Sequence, residues 1–420
     1  MKSLLCGALL AGAGCAIAPL AVAAQDSGSL TLEQALALAG ASNEPGTETQ
    51  NPRAMGPRAD VEAAEALIRQ ARLRPNPELS IEVENFAGTG DYSGLQSSEY
   101  TLSAGLPLEL GGKRNARTGA AKADLAVAQL REQLAVADIG LMVRQRYVSA
   151  VAAQARVALA QDVYDRSREL ARIANVLVEA GREPPLRALR AQSELAEAEA
   201  ELKAAQATAL AARFALGALW SDQSAPTPTN AFPKLRPPYE LLSSYEGLDL
   251  KLASAERQAA EAGVARERSL GAPDLAVSAG VRRFHASNDQ ALVVGVAVPL
   301  PLWNQNQGNI SAAQARVRSA SAREAVAAAD YSQTVSEARA EYLAAEAKAD
   351  TLEAESLPQA EEALRLAEIG YREGKLELIE LLAAGDARDG VRRALIDARE
   401  AQGRSAALLI RLAAADRSAR

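Results

Sequence analysis

The sequence predicts a mainly α-helical protein with a small β-sheet part, built from two copies of one unit. Three observations lead to this fold class. About 95 of the 420 residues are alanine, the best helix former, while only 4% are aromatic. Long stretches repeat apolar residues at spacings of three and four, as helices do, and four short segments alternate apolar and polar residues, as strands do.

The chain begins with a predicted secretory signal peptide over residues 1–24. Lys2 precedes an apolar run that ends in small residues near Ala24, which is typical of a cleaved export signal. Both cysteines, Cys6 and Cys15, lie within it, so we expect no disulfide or thiol chemistry in the mature chain. Attachment of a lipid to Cys15 is the alternative. It is less favoured because no large aliphatic residue stands three places before that cysteine.

An internal repeat divides the mature chain. Four pairs of landmarks keep their order at separations of about 195 residues: Pro77 and Pro273, Pro107 and Pro299, Tyr147 and Tyr342, and Gly181 and Gly374. Because these landmarks are not alanines, chance matching in an alanine-rich chain explains them poorly. We predict an N-terminal segment over 25–57, a first repeat over 58–240 and a second repeat over 241–416.

Each repeat contains a predicted β-hairpin. The first has strands over 78–86 and 98–110, joined by a glycine-rich polar loop. The second has strands over 274–284 and 291–302. Four strands are too few to close a barrel, and an open sheet with one apolar face invites aggregation, so we expect the chain to oligomerise.

A long helical hairpin follows each pair of strands, over 113–220 and over 309–415. The first helix has no proline before Ala180 and is on the order of 100 Å long at 1.5 Å per residue. Its predicted coiled-coil seam consists of Val127, Leu130, Leu134, Ala137, Leu141, Val148, Val151, Ala155 and Ala158. Gly181 and Gly374 are expected to end the long helices and turn the chain.

Composition and motif spacing argue against several classes of function. The 53 acidic residues outnumber the 46 lysines and arginines, which disfavours a nucleic-acid partner. Gly112 and Lys113 lack the other residues of a phosphate-binding loop. His285 is the only histidine, so neither a catalytic triad nor a histidine metal cluster fits within one chain. We predict no enzymatic activity, no resident metal and no cofactor.

Three motifs resemble the TolC family of outer-membrane efflux proteins, and within it the CzcC-like branch that serves heavy-metal cation efflux. They are residues 106–114 with Arg117, residues 298–309, and residues 370–374 with Leu378, Leu381 and Leu382. The first two motifs occupy equivalent strand-to-helix junctions of the two repeats. The resemblance covers essentially the whole mature chain.

This resemblance implies a homotrimer in the bacterial outer membrane. Four strands from each of three chains would complete a twelve-stranded barrel, and the coiled-coil hairpins would form a tunnel through the periplasm. The implied partners are outer-membrane lipid, a periplasmic adaptor protein and an inner-membrane pump of the resistance-nodulation-division (RND) class.

The implied function is a passive exit duct for cations such as cobalt, zinc, cadmium or copper. Two alternatives remain open. The same duct could serve multidrug efflux or type I protein secretion, because a duct need not recognise its cargo. From another class, the chain could be a periplasmic coiled-coil scaffold without a pore.

The resemblance also places Gly181 and Gly374 at the periplasmic tip, where relatives close the tunnel and meet the adaptor. Gates of the family carry a tyrosine, matched here by Tyr371, and two acidic residues, of which only Glu380 is present. Lys375 lies beside the position of a basic residue of the family. This chain therefore lacks part of the family's gate network.

Arg187 and Glu380 occupy equivalent positions of the two repeats. We predict that they pair across adjacent hairpins and hold the tip closed. The alternative is two exposed helix charges that contribute little to stability.

Four cations lie at the start of the first long helix: Lys113, Arg114, Arg117 and Lys122. Positive charge at a helix N-terminus opposes the macrodipole, so an anion should offset it. We predict that anionic headgroups of the inner leaflet face this basic cluster. A solvated basic face is the alternative.

Overall fold

A computed structural model of the protein describes residues 29–41, 51–239 and 247–414. The predicted signal peptide, with Cys6 and Cys15, lies outside these residues. Helices dominate the described ranges, and four strands form one antiparallel sheet, so the predicted fold class is confirmed. None of the helices in these ranges combines the length and the hydropathy that crossing a membrane requires.

Two helices precede the sheet. α1 spans Leu32–Leu38 and begins in a capping box, in which Thr31 and Gln34 satisfy each other's backbone N–H groups. α2 spans Pro52–Ala71. Its N-cap, Asn51, is buried. The Nδ2 of Asn51 donates one hydrogen bond to the carbonyl of Ala39, the C-cap of α1, and another to the carbonyl of Leu219. This side chain therefore ties the N-terminal segment to the start of the first repeat.

The sheet joins the two repeats. Its strands are β1 (Glu78–Glu84), β2 (Glu99–Leu108), β3 (Leu275–Phe284) and β4 (Gln290–Ala297), in the order β1-β2-β3-β4. The central β2–β3 pairing runs from Glu99 opposite Phe284 to Leu108 opposite Leu275. Each repeat thus contributes one hairpin, and ten residue pairs connect them.

The two faces of the sheet differ in polarity. One face presents apolar side chains that are highly exposed, among them Leu79, Ile81 and Leu292. The opposite face carries polar side chains, such as Ser80 and Ser103, whose hydroxyls lie 2.7 Å apart. β2 and β4 end before the predicted residues 110 and 302. For β4 the reason is that prolines follow it and supply no N–H for a ladder.

The first repeat continues in a long helical hairpin of α3 (Lys113–Glu179) and α4 (Pro185–Gly217). Of the predicted α3 seam, the buried members are Val127, Leu130, Val148 and Val151. Ala158 is exposed, which corrects the prediction, and Ile139, Val143 and Tyr147 are buried instead. The reason is that several different helices, α2 and α4 among them, cover α3 at different levels, so no single stripe describes its contacts.

The second repeat repeats this order of elements with one irregularity. Its helices are α5 (Leu248–Leu270), α6 (Gln307–Thr351), α7 (Leu357–Arg372) and α8 (Leu378–Leu412). A π-helical segment, Leu352–Ser356, separates α6 from α7, where the sequence predicted one continuous helix. Pro358 follows it and lacks the N–H that a regular helix needs at that point.

The helices pack through small side chains. Alanine is the commonest buried apolar residue in the described ranges, which lets neighbouring helices approach closely. The largest fully buried side chain there is Tyr147, whose hydroxyl contacts the carbonyl of Leu30 at 2.9 Å and the hydroxyl of Thr229 at 2.8 Å. This tyrosine joins α3, the N-terminal segment and the link between the repeats.

Candidate functional site

Two regions contain the residues that the sequence singled out: the turns of the helical hairpins and the junctions between strands and helices. At the first turn, α3 ends at Glu179, and Gly181, just beyond its C-cap Ala180, has φ 69°. The Gly181 N–H donates to the Val178 carbonyl at 3.0 Å, and the Arg182 N–H donates to the Leu177 carbonyl at 2.9 Å. This is a Schellman cap, which requires left-handed backbone at the glycine.

The second turn uses the same device. Gly374 has φ 71°, and its N–H donates to the Tyr371 carbonyl at 3.1 Å. The Lys375 N–H donates to the Gly370 carbonyl at 2.8 Å. The two hairpins therefore turn through equivalent hydrogen bonds, as expected for repeats that place glycine at matching positions.

The charged tip residues contact near neighbours in their own hairpins. Arg187 pairs with Glu183, four residues earlier in the chain, at 2.6 Å, and not with Glu380 of the same chain, which is exposed. Lys375 pairs with Glu373 at 2.5 Å. The structure thus does not bring Arg187 and Glu380 together within one chain, and their pairing between copies stays a prediction.

Tyr371 has a packing role in the described chain. It is half-buried against an apolar cluster that contains Leu364, Ala367 and Leu381. Leu170 of α3 packs on the same cluster. The tip of the second hairpin is therefore held against the first hairpin by apolar contacts rather than by the predicted ion pair.

At the strand-to-helix junction the basic cluster divides into two halves. Lys113 is buried, and its Nζ lies 2.7 Å from Oδ2 of Asp274, just before β3. The other carboxylate oxygen of Asp274 accepts the Leu110 N–H at 3.2 Å. One carboxylate therefore fixes the start of α3 to the start of β3 across the two repeats.

Arg117 is also used within the chain. Its guanidinium donates to Glu109 at 2.6 Å and to the carbonyls of Ala71 and Leu73 at 3.0 and 2.8 Å. It thereby satisfies the carbonyl of the last α2 residue, Ala71, which the helix itself leaves unpaired, and a carbonyl just beyond the helix.

The prediction that all four cations face lipid headgroups is therefore corrected for two of them. Lys113 and Arg117 point to internal partners, because a carboxylate from elsewhere in the fold meets each of them. Arg114 and Lys122 are exposed. The headgroup prediction remains only for this exposed pair.

An ion-pair ladder between α3 and α8 has no simple sequence signal. Arg156 pairs with Asp397 at 2.7 Å and with Glu400 at 2.6 Å. Further along, Arg392 pairs with Asp162 at 2.6 Å. These pairs join residues that are more than 200 positions apart, so periodicity could not have found them.

The ladder ends in a buried carboxylate. Asp389 is 4% exposed and contacts Arg166 on α3, while Arg388 lies 2.8 Å from it. Burial lowers the pKa of the Arg166 guanidinium, and the positive charge of Arg388 lowers it further. Asp389 thus holds two like charges together at the helix interface.

Metal-ligating residues are not clustered in the described part of the chain. In residues 29–41, 51–239 and 247–414, no three His, Cys, Asp or Glu side chains are arranged to hold a metal ion. His285 lies exposed in the loop between β3 and β4.

Residues 48–221 and 245–415 match the family described as outer membrane efflux protein. The chain belongs to this family. The resemblance to outer-membrane efflux proteins that the junction and tip motifs indicated is therefore confirmed, as is the outer-membrane location. The family comprises efflux ducts rather than enzymes.

Relatives of this outer membrane efflux protein carry names of metal-resistance proteins. It is 35% identical over 373 residues to the cobalt-zinc-cadmium resistance protein CzcC of Cupriavidus metallidurans, covering 85% of this chain and 84% of that one. It is 34% identical over 295 residues to the nickel and cobalt resistance protein CnrC of the same organism, covering 70% and 68%. The predicted CzcC-like branch is thereby confirmed.

Solved structures share the fold of this efflux protein. The outer membrane protein VceC from Vibrio cholerae has a TM-score of 0.74 at 21% identity, covering 91% of this chain and 96% of that one. The Campylobacter jejuni outer membrane channel CmeC has a TM-score of 0.75 at 15% identity, covering 91% and 85%. At these identities the likeness shows the fold alone.

Proposed function

We propose that this efflux protein is the homotrimeric exit duct of a tripartite RND-type pump that exports heavy-metal cations such as cobalt, zinc or cadmium. The proposed cargo is supported by the 35% identity to the cobalt-zinc-cadmium resistance protein CzcC across 84% of its length. The duct performs no chemical step. Its role is to provide a continuous polar passage from the periplasm through the outer membrane.

The sheet supports trimerisation. β1 and β4 are its edges, and in the described ranges neither outer edge has a backbone partner. A strand edge of this kind pairs readily with another strand, and in a membrane all backbone groups must be paired. Pairing of β4 with β1 of the next copy would give twelve strands from three chains and leave no free edge.

The polar face of the sheet suits the inside of such a duct. Glu78 and Glu82 stand on it, one on each side of Ser80. On the same face Arg282 pairs with Glu84 at 2.8 Å and with Glu99 at 3.1 Å. Carboxylates outnumber this cation, so the wall would favour positively charged cargo. Carboxylates suit magnesium, calcium and manganese better than zinc, cobalt or cadmium, so these side chains favour passage of such cargo rather than storage.

The tip of the helical hairpins is proposed as the closing point and the adaptor contact. Gly181 and Gly374 shape the two turns, and the exposed side chains of Arg187, Lys375 and Glu380 are available to neighbouring chains. In the closed trimer, Arg187 of one copy would exchange its Glu183 contact for Glu380 of the next.

The exposed pair Arg114 and Lys122 is proposed to contact anionic headgroups of the inner leaflet. Both lie near the start of α3, close in sequence to the end of β2. Reversing both charges to glutamate should reduce the amount of anionic phospholipid that stays bound to the detergent-purified protein. An equal reversal at Arg190 and Lys203 on α4 is the control. Unchanged retention of anionic lipid by the first variant would contradict this contact.

The cargo is tested in a strain that lacks this chain. We expect increased sensitivity to cobalt, zinc or cadmium, with drug sensitivity unchanged, and restoration by the intact chain. Sensitivity to drugs alone would instead identify a multidrug duct, and loss of secreted protein would identify a type I secretion duct. Absence of a heat-modifiable trimer from the outer-membrane fraction would favour the scaffold without a pore.

A further inference from the structure

The apolar row on the exposed face of the sheet continues beyond β4. Along this strand every second residue is leucine or valine, and the alternation passes Pro299 and Pro301 without interruption. The members are between 45% and 86% exposed: Leu292, Val294, Val296, Val298, Leu300 and Leu302. Trp303 comes next at 87%, the highest exposure among the large hydrophobic side chains of the described residues.

β4 by itself is too short to cross the apolar band of a membrane. β4 has eight residues, whereas a tilted membrane strand needs about 9–11. At about 3.3 Å per residue and a tilt near 45°, eight residues cover roughly 19 Å of an apolar band about 25 Å tall. Continuing the row to Leu300, where the chain turns, adds roughly 7 Å on the same basis, so the row covers the band and ends near its boundary.

The backbone of the extension is compatible with that boundary. Pro299 and Pro301 have no N–H group that would need a partner. The Leu302 N–H donates to the Leu300 carbonyl at 2.9 Å, and the Trp303 carbonyl accepts a hydrogen bond from Gln307 Nε2 at 3.1 Å. The two prolines therefore reduce the number of unpaired backbone N–H groups that would be carried into the lipid.

The sequence changes character immediately after Trp303. The next four residues are Asn304, Gln305, Asn306 and Gln307, and α6 begins at the last of them. An indole combines a large apolar plane with a single N–H donor, which suits the zone between hydrocarbon and headgroups. Gly111 holds the corresponding position of the first repeat, so this feature belongs to the second repeat alone.

We propose that Trp303, with Leu300 and Leu302, inserts into the phospholipid leaflet nearest the helices and anchors the junction between β4 and α6 at the membrane boundary. The proposal rests on the placement of the sheet in the outer membrane under the proposed function. It follows from the continuity of this surface with the apolar face of β4. In a trimer three such anchors would fix the height of the duct in the bilayer.

The two tryptophans of the chain allow a direct test. Trp220→Phe leaves Trp303 as the sole tryptophan, whose fluorescence can be excited apart from that of the tyrosines. The trimer is reconstituted in phosphatidylcholine vesicles whose acyl chains carry bromine either close to the headgroup or close to the chain end. We expect at least twofold quenching of Trp303 by the shallow bromine and weaker quenching by the deep one. The matched control is Trp303→Phe, because Trp220 packs against the helical core and should be quenched by neither.

A third variant separates failure of this inference from failure of the proposed function. Val294→Trp, in a chain that lacks both native tryptophans, reports the middle of the β4 apolar row. If it is quenched while Trp303 is not, the anchor is overturned and the duct stands. If neither is quenched, the membrane placement of the sheet is overturned. Unquenched Trp303 with blue emission would mean that a second copy covers it, and iodide quenching would place it in water; either result overturns the anchor.

Discussion

Gly403 on α8 lies against Val148 on α3 so closely that a Cβ added to the glycine would fall 2.8 Å from Cγ2 of the valine. Val148 is fully buried, and a β-branched side chain in a helix has little rotamer freedom to move aside. The closest approach of the two helices at this level therefore depends on the absence of a side chain at position 403.

Gly403→Ala should destabilise the protein by about 1–3 kcal/mol, the usual cost of overpacking. The measurement is the temperature at which the detergent-solubilised protein loses its helical circular dichroism. Gly390→Ala is the control, since Gly390 lies in the same helix with no atom near its would-be Cβ. It should stabilise by about 0.5–1 kcal/mol. Adding Val148→Ala to Gly403→Ala should recover part of the loss; equal stability of Gly403→Ala and the native chain would contradict this packing.

Asp274→Asn should lower the melting temperature. The amide keeps an acceptor for the Leu110 N–H but leaves the buried Lys113 ammonium without a counter-charge, at a cost of about 1–3 kcal/mol. Lys122→Ala, which removes an exposed cation of the same helix, should change stability by less than about 0.5 kcal/mol. Equal effects of the two variants would show that the Lys113 pair is no more than a surface contact.

Asp389→Ala should destabilise more than Asp397→Ala. Asp389 is buried between Arg166 and Arg388, whereas Asp397 is exposed and its partner Arg156 keeps a second carboxylate. We expect about 3–5 kcal/mol for the buried carboxylate and less than about 1 kcal/mol for the exposed one. Thermal unfolding of both variants under one condition decides the order, and the reverse order would refute it.

Tyr342 should make stability depend on alkaline pH. Burial, and then its hydrogen bond to Glu346 at 2.7 Å, raise the pKa of Tyr342 to about 12 from 10.0. Between these values the unfolded chain has lost the phenol proton and the folded chain retains it, so stability falls as pH rises from 10 to 12. Tyr342→Phe should show a shallower fall in melting temperature over this window. The same slope in both proteins would mean that other groups cause the fall.

Opening of the tip should depend on Arg187 and Glu380 if they pair between copies. The double variant Arg187→Ala with Glu380→Ala should raise single-channel conductance in planar bilayers, because the closing contact is lost. Arg365→Ala with Glu362→Ala removes an exposed pair higher on the second hairpin and should leave conductance unchanged. Unchanged conductance of the tip variant would remove the proposed gate.

Much of the fold was accessible from the sequence because the signals are local. Alternation predicts the four strands, and glycine at positions 181 and 374 predicts the turns, since left-handed backbone strongly favours this residue. The junction and tip motifs were enough to indicate the family. The limits of β4 and the break between α6 and α7 were missed, although the prolines at 299 and 358 carried the signal.

The roles of the charged residues were decided only by the tertiary structure. The sequence by itself determined three features: two repeats that each contain a β-hairpin and a helical hairpin, the apolar and polar faces of the strands, and a cluster of four cations. It left open which cations are free, because Asp274 lies 164 residues from Leu110 and meets Lys113 only when β2 and β3 pair. The α3–α8 ladder is likewise a product of the fold. Periodicity reports which face of an element is buried, whereas the partner of a charge depends on which elements the chain brings together.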